Sequence, residues 1–145
     1  MYLESKTKGF TLIELLLVMV ILVVLAGMVA PRIIKQAGQA KRDAVKVEID
    51  GNLALALDIF ALHNDRYPNT DEGLQALITK PSGLDRWQGP YLKKMRTPRD
   101  PWGHLYIYVS PGTNNPDYDL SSYGPDGVES DDDITNWEEA VPGEE

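Results

Sequence analysis

Two histidines, His63 and His104, and one dense acidic run from Gly124 to Asp133 are the side chains best suited to chemistry in this 145-residue chain, which has no cysteine. Neither histidine has a second ligand at a metal-binding spacing, and no nucleophile elbow or phosphate-binding glycine loop accompanies them. Each reads as a surface or turn residue. Without cysteine there is no disulfide or thiolate site, so any staple must come from oxygen ligands or from packing. The acidic run offers such oxygens. Calcium takes about six to eight hard oxygens from carboxylates and carbonyls in a flexible loop. A turn at Pro125-Asp126-Gly127 folding back to Asp132-Asp133 can supply three carboxylates and several carbonyls. The D-x-D-x-D-G spacing and final bidentate Glu of an EF-hand are missing, and from composition alone a solvated acidic tail is the simpler reading.

The charge distribution narrows the partners. Nine acids and no bases lie between Asp126 and Glu145; against a whole-chain net charge of −8, residues 1–125 therefore carry +1. The acidity is a C-terminal feature, and no clustered Lys and Arg suggest nucleic acid.

A third carboxylate stands out by its setting. Phe10 to Ala30 reads FTLIELLLVMVILVVLAGMVA, 21 residues with Glu14 as the single charge. As a helix this run is about 31 Å long and matches a hydrocarbon core. Lys6 and Lys8 precede it, which puts the amino terminus in the cytoplasm and everything after Ala30 across the membrane. A cleavable secretory signal, cut near Ala26-Gly27-Met28 or Ala30, is the rival reading. The run is long for a signal core, and a carboxylate inside a span costs several kcal/mol and calls for a partner.

Gly9-Phe10-Thr11-Leu12-Ile13-Glu14 resembles the processing motif of type IV pilins and pseudopilins, with a charged leader, Gly, Phe and then an apolar helix. The resemblance implies cleavage by a prepilin peptidase between Gly9 and Phe10 and N-methylation of the new terminal Phe10. It also implies a partner for Glu14, the Phe10 ammonium of an adjacent subunit, which makes Glu14 an assembly residue rather than a catalytic acid.

Beyond the apolar run, Pro31 and Gly27 predict a bend or local unwinding. From Arg32 the pattern turns amphipathic, with Ile33, Ala37, Ala40, Ala44, Val45, Ile49, Leu53, Leu57 and Phe60 at three- and four-residue steps. This predicts a helix to about Leu62, with Gly51 a local weakness, His63-Asn64-Asp65 the stop, and Leu53–Leu62 the part covered by a globular domain. Asn69-Thr70-Asp71-Glu72 is a capping signal opening a short helix to about Thr79, ended by Pro81. His104–Ser110 alternates as a strand, Pro111–Pro116 is a loop, and Tyr118–Ser122 pairs back as a second strand. Trp87, Trp102 and Trp137 serve as core or turn anchors. The fold class is α+β: a long N-terminal helix, its first half membrane-spanning, packed on a small antiparallel sheet in a pilin-like way. The segments are a leader over 1–9, a transmembrane helix over 10–30, its amphipathic continuation over 31–63, and a periplasmic α+β part over 64–145.

The globular blocks Asp71-Glu72-Gly73-Leu74, Gly89-Pro90-Tyr91, Asp100-Pro101-Trp102-Gly103, Ser122-Tyr123-Gly124-Pro125-Asp126-Gly127 and Asp132-Asp133-Ile134 resemble the major pseudopilins of type II secretion. That resemblance implies a non-enzymatic subunit of a periplasmic filament, with its helix in the inner membrane before assembly. The implied partners are copies of itself, minor pseudopilins, the prepilin peptidase, the inner-membrane assembly platform and an outer-membrane secretin. It implies bound calcium, with Asp126, Asp132 and Asp133 as side-chain ligands and backbone carbonyls near Tyr123, Val128 and Ser130. Which of Asp131–Asp133 ligate stays open, because Asp131 adds a neighbouring carboxylate. A major type IV pilin for adhesion or motility and a membrane-tethered, calcium-dependent binding module are the alternatives.

Overall fold

One apolar stripe stays on the core over about three turns of the helical half. Val45, Ile49, Leu53 and Leu57 are all fully buried. Four residues advance about 400° on an ideal α-helix, so three such steps would carry the stripe about 120° off its face. In the computed structural model, which describes residues 9–137 apart from the side chains of 29–33, the drift is absorbed by wider turns. Helix α1 covers Leu12–Val47, a π-helical segment covers Glu48–Leu53, and α2 covers Ala54–Asn64. The leader through Lys8 and the acidic tail from Glu138 lie outside the described residues.

The expected weakness at Gly51 is thus a change of helix type, not a break. Helix α1 also runs through 27–31, where the sequence predicts a bend or unwinding, without an unwound turn. Proline at 31 cannot donate to the carbonyl of residue 27, and losing one hydrogen bond does not end a helix this long. At the other end Asp65 takes a left-handed conformation, φ 58°, and its amide donates to the Ala61 carbonyl at 2.8 Å, which closes α2 where the sequence places the stop.

The chain divides into two compact units, Met1–Gln39 and Ala40–Glu145. In the first, the apolar side chains of α1 from Leu12 to Met28 are exposed. Among the described residues no helix is both long and apolar enough to cross a membrane. The apolar stretch has described side chains only as far as Met28, short of the Ala30 boundary set by the sequence.

The second unit holds the core. Strands β1 (Ile107–Val109), β2 (Asp119–Ser122) and β3 (Ile134–Thr135) form an antiparallel sheet in that order. Tyr108 faces Leu120, and Ser122 faces Ile134. Tyr108 of β1 and Tyr106 just before it point inward, buried in one cluster with Leu120, Ile134, Leu53, Leu57 and Phe60. Burial pushes the Tyr108 phenol well above its ordinary range, and its hydroxyl donates to the Pro68 carbonyl at 2.8 Å. β3 is absent from the sequence expectation.

The capping signal folds as read, though the helix behind it differs. The Glu72 amide donates to Asn69 Oδ1 at 2.8 Å, and the Asn69 amide donates to Glu72 Oε2 at 2.9 Å. Behind this cap the chain forms a 3-10 helix, Gly73–Leu77, which seats Leu74 and Leu77 in the core. Trp87 and Trp102 pack on that core half-buried, and Trp87 Nε1 donates to the Ala76 carbonyl at 2.8 Å.

Candidate functional site

The loop between β2 and β3 carries the acidic run. It leaves the sheet at Ser122 and turns through Gly124 (φ 68°) and Gly127 (φ 70°), a left-handed backbone that favours glycine. Asp126 Oδ1 accepts from the Val128 amide at 3.2 Å. The Ser130 hydroxyl lies 2.6 Å from Asp132 Oδ1 and 3.3 Å from Asp126 Oδ2. It has one proton, so Asp132 is its principal acceptor. The Ser130 amide donates to Asp133 Oδ1 at 3.3 Å.

Five of the six expected calcium residues, Asp126, Val128, Ser130, Asp132 and Asp133, are therefore joined on one turn, Ser130 through its hydroxyl and amide while its expected carbonyl accepts from the Asp133 amide at 3.2 Å. Val128 enters through its amide rather than its carbonyl. Tyr123 is half-buried at the start of the loop and takes no part in the described hydrogen bonds. Burial, then repulsion from Asp126, Asp132 and Glu129, pushes the Asp133 carboxyl up against the Ser130 amide bond. The Ser130 hydroxyl, and after it Arg42, hold Asp132 down. The donor set of hard carboxylate and hydroxyl oxygens suits a divalent cation such as calcium. As folded, the Asp126 and Asp132 carboxylates meet the Ser130 hydroxyl and Asp133 meets the Ser130 amide; among the described residues no group of three His, Cys, Asp or Glu side chains is arranged to hold a metal ion.

Both ends of the loop are fastened. At the near end, Asp100 has a fully buried side chain. It accepts from the amides of Trp102 (3.0 Å) and His104 (2.8 Å) and from the Ser122 hydroxyl (2.8 Å). His104 Nδ1 lies 2.9 Å from the Gly124 carbonyl, to which it donates, and a Cβ added at Gly127 would stand 2.9 Å from the His104 ring. His104 is thus a brace for the loop, a role its sequence setting does not reveal. At the far end, Arg42 Nη1 donates to the Asp132 carbonyl at 2.7 Å while Nη2 pairs with Asp132 Oδ2. Lys46 Nζ donates to the Thr135 carbonyl at 2.7 Å.

At the amino-terminal site, Phe10 is exposed and Glu14 lies in the first turn of α1. The Thr11 amide donates to Glu14 Oε2 at 3.3 Å, and the Glu14 amide donates to Thr11 Oγ1 at 3.3 Å. This reciprocal capping box satisfies two helix-end donors within one chain. The Thr-x-x-Glu spacing that signals it is visible in the sequence and escapes a reading centred on the charge. Gly9 is the first described residue, so the cleavage junction lies at the edge of the described region.

An open groove of ≈ 870 Å³ beside α2 is lined by Glu48, Asn52 and the basic segment Lys93, Lys94, Arg96 and Arg99, and neither histidine lines it.

Residues 32–137 match the family described as type II secretion system (T2SS), protein G, and residues 5–30 match the prokaryotic N-terminal methylation motif. The chain belongs to the protein G family of type II secretion. It is 46% identical over 143 residues to the type II secretion system core protein G of Pseudomonas aeruginosa, covering 93% of this chain and 98% of that protein. The corresponding protein of Klebsiella pneumoniae is 43% identical over 138 residues, 92% of this chain and 96% of that one. The fold is similar to the crystal structure of the major pseudopilin from the type 2 secretion system of enterohaemorrhagic Escherichia coli, with a TM-score of 0.59 and 35% identity over 72% of this chain and 92% of that chain. This protein G chain is a major pseudopilin, a structural subunit of protein transport and not an enzyme, as the resemblance implies.

Proposed function

We propose that the chain is held in the inner membrane as a single-pass subunit, cut after Gly9 and methylated on Phe10, and then assembled into a periplasmic filament that drives folded proteins through an outer-membrane secretin. The observation that carries this is the pairing of two matches on one chain, the methylation motif over 5–30 and the protein G family over 32–137. Helix α1 supports it physically. Its apolar side chains from Leu12 to Met28 are exposed in the isolated chain, so they require lipid before assembly and neighbouring helices after it. The amino terminus is cytoplasmic and the second unit periplasmic. The prepilin peptidase, the inner-membrane assembly platform, minor pseudopilins and other copies of the chain are its partners. Glu14 pairs with the Phe10 ammonium of the next subunit, and each neutralises a charge that is costly in hydrocarbon.

Calcium completes the reading. Asp126, Asp132 and Asp133 supply carboxylates and the backbone near Tyr123, Val128 and Ser130 supplies carbonyls. Burial, and after it the charge of the neighbouring carboxylates, raises the Asp133 carboxyl, and the ion relieves that repulsion. A ligand that binds the folded state alone stabilises by mass action, about 2.7 kcal/mol at a hundredfold excess over its dissociation constant.

Two measurements test this. Mass spectrometry of membrane-purified chain is expected to give a methylated Phe10 terminus, and Gly9→Ala to leave the leader in place; processed Gly9→Ala contradicts the cleavage reading. Full chain in detergent micelles is expected to melt higher in calcium than in chelator, with magnesium a poor substitute. Asp126→Ala removes the difference and Glu144→Ala retains it. Identical melting curves in calcium and chelator eliminate the calcium reading.

A further inference from the structure

We infer that Arg42 is a positioning residue for the acidic loop: it holds Asp132 by the backbone carbonyl and Oδ2, so that Oδ1 is turned toward the Ser130 hydroxyl. This rests on the calcium reading above and adds to it a residue 90 positions away that touches no ion itself. Arg42 Nη1 donates to the Asp132 carbonyl at 2.7 Å and Nη2 pairs with Oδ2. The planar guanidinium fork fixes two acceptors in one plane, which a single ammonium cannot do. With Oδ2 held, Oδ1 is left to the Ser130 hydroxyl at 2.6 Å, and that hydroxyl reaches Asp126 Oδ2 at 3.3 Å. The orientation of Asp132, and of the Ser130 hydroxyl that donates to it, therefore passes through one arginine.

Arg42 is itself well anchored. Val45, three residues further along α1, is fully buried, so the helix that carries the guanidinium is fixed to the core beneath the loop. About a third of the Arg42 side chain remains exposed, and its partner Asp132 is similarly half-shielded. Lys46, the next basic residue along that face, grips the Thr135 carbonyl beyond the loop. The acidic turn thus hangs from α1 at its far end and from His104 at its near end.

Two effects of Arg42 on a bound cation oppose each other. Its positive charge repels the cation, while its fork orders a ligand and offsets the mutual repulsion of Asp126, Asp132 and Asp133. Partners that orient a metal ligand typically change affinity by about 10- to 100-fold when removed. Ordering prevails here, because the fork engages the ligand directly at both acceptors.

The experiment is calorimetric titration of calcium chloride into full chain in detergent micelles, run beside amide hydrogen exchange over 126–135 in chelator. Arg42→Ala is expected to bind calcium about 10- to 100-fold more weakly, although a positive charge has been removed. Arg42→Lys, which keeps the charge and loses the fork, falls between. Arg66→Ala, which breaks the remote Arg66–Glu72 pair, lowers thermal stability and leaves calcium affinity unchanged, separating positioning from general destabilisation. In chelator, Arg42→Ala accelerates exchange at the Ser130 and Asp133 amides. Unchanged or tighter calcium binding by Arg42→Ala overturns the proposal. Wild-type chain that takes up no calcium overturns the calcium reading and the ligand-presenting half of this one; the exchange rates then decide the fastening of the loop, and unchanged rates overturn that as well.

Discussion

Replacing Asp119 tests how the loop between β1 and β2 is held. Its carboxylate accepts four hydrogen bonds: the Thr113 and Asn114 amides at 2.8 Å and Asn114 Nδ2 at 3.0 Å on Oδ2, and the Asn115 amide at 2.9 Å on Oδ1. Burial alone would raise this carboxyl, and the four bonds outweigh it and hold the group below its ordinary range. Hydrogen bonds to a charged group contribute about 1.5–3 kcal/mol each. Thr113 and Asn114 are exposed and can rehydrate, so Asp119→Ala costs about 3 kcal/mol rather than the sum. For a unit of this size that is roughly 12–24 °C in Tm. Asp119→Asn keeps the shape but turns an amide NH2 toward at least one N–H donor, and costs about 2 kcal/mol. The sign with pH follows from the lowered carboxyl. Its contribution is fully present above the unfolded value of about 3.9 and is lost as pH falls through the lower folded value. The gap between wild type and Asp119→Asn is therefore constant near neutrality and closes in acid. The assay is thermal unfolding of full chain in micelles followed by the near-UV signal of Trp87 and Trp102, between pH 7 and 2. An Asn variant as stable as wild type at pH 7, or a gap that does not close in acid, refutes the reasoning.

Gly112→Ala places a Cβ 2.4 Å from the Asn115 carbonyl oxygen and 2.7 Å from Asp119 Oδ1; the same loop must open, at a cost of about 1–3 kcal/mol in urea unfolding. Gly51→Ala, in the π-helical segment with nothing within 4 Å of the new Cβ, is expected to stabilise by about 0.5–1 kcal/mol in the same measurement.

The long helix, the Asn69–Glu72 cap and the stop at Asp65 are legible in the sequence because each is set by neighbours within one or two turns. The π-helical segment is less so. A stripe at strict four-residue steps implies wider turns, but Gly51 in its middle reads as a weakness. β3 is two residues long with one apolar side chain, Ile134, too little to carry an alternation. The acidic loop is legible as a cluster of oxygens, whereas its supports are not. Arg42 meets Asp132 across 90 positions and His104 meets Gly124 across 20, and no local spacing records either contact. Glu14 shows the converse. Its role within the chain is a local capping box, and its role between chains comes from the motif.

That double role of Glu14 supplies the most direct test of a filament held by paired charges. Glu14→Gln keeps the capping box, since Gln reaches the Thr11 amide as Glu does, and removes the charge that pairs with a neighbour's Phe10 ammonium. The measurement is filament yield by electron microscopy from cells expressing the chain with its secretion machinery, normalised to the membrane level of the subunit. Wild type is expected to give abundant filaments, and Glu14→Gln to reach the same membrane level with its filaments lost. Glu14→Gln filaments as abundant as wild type would contradict the pairing and reduce Glu14 to a helix cap.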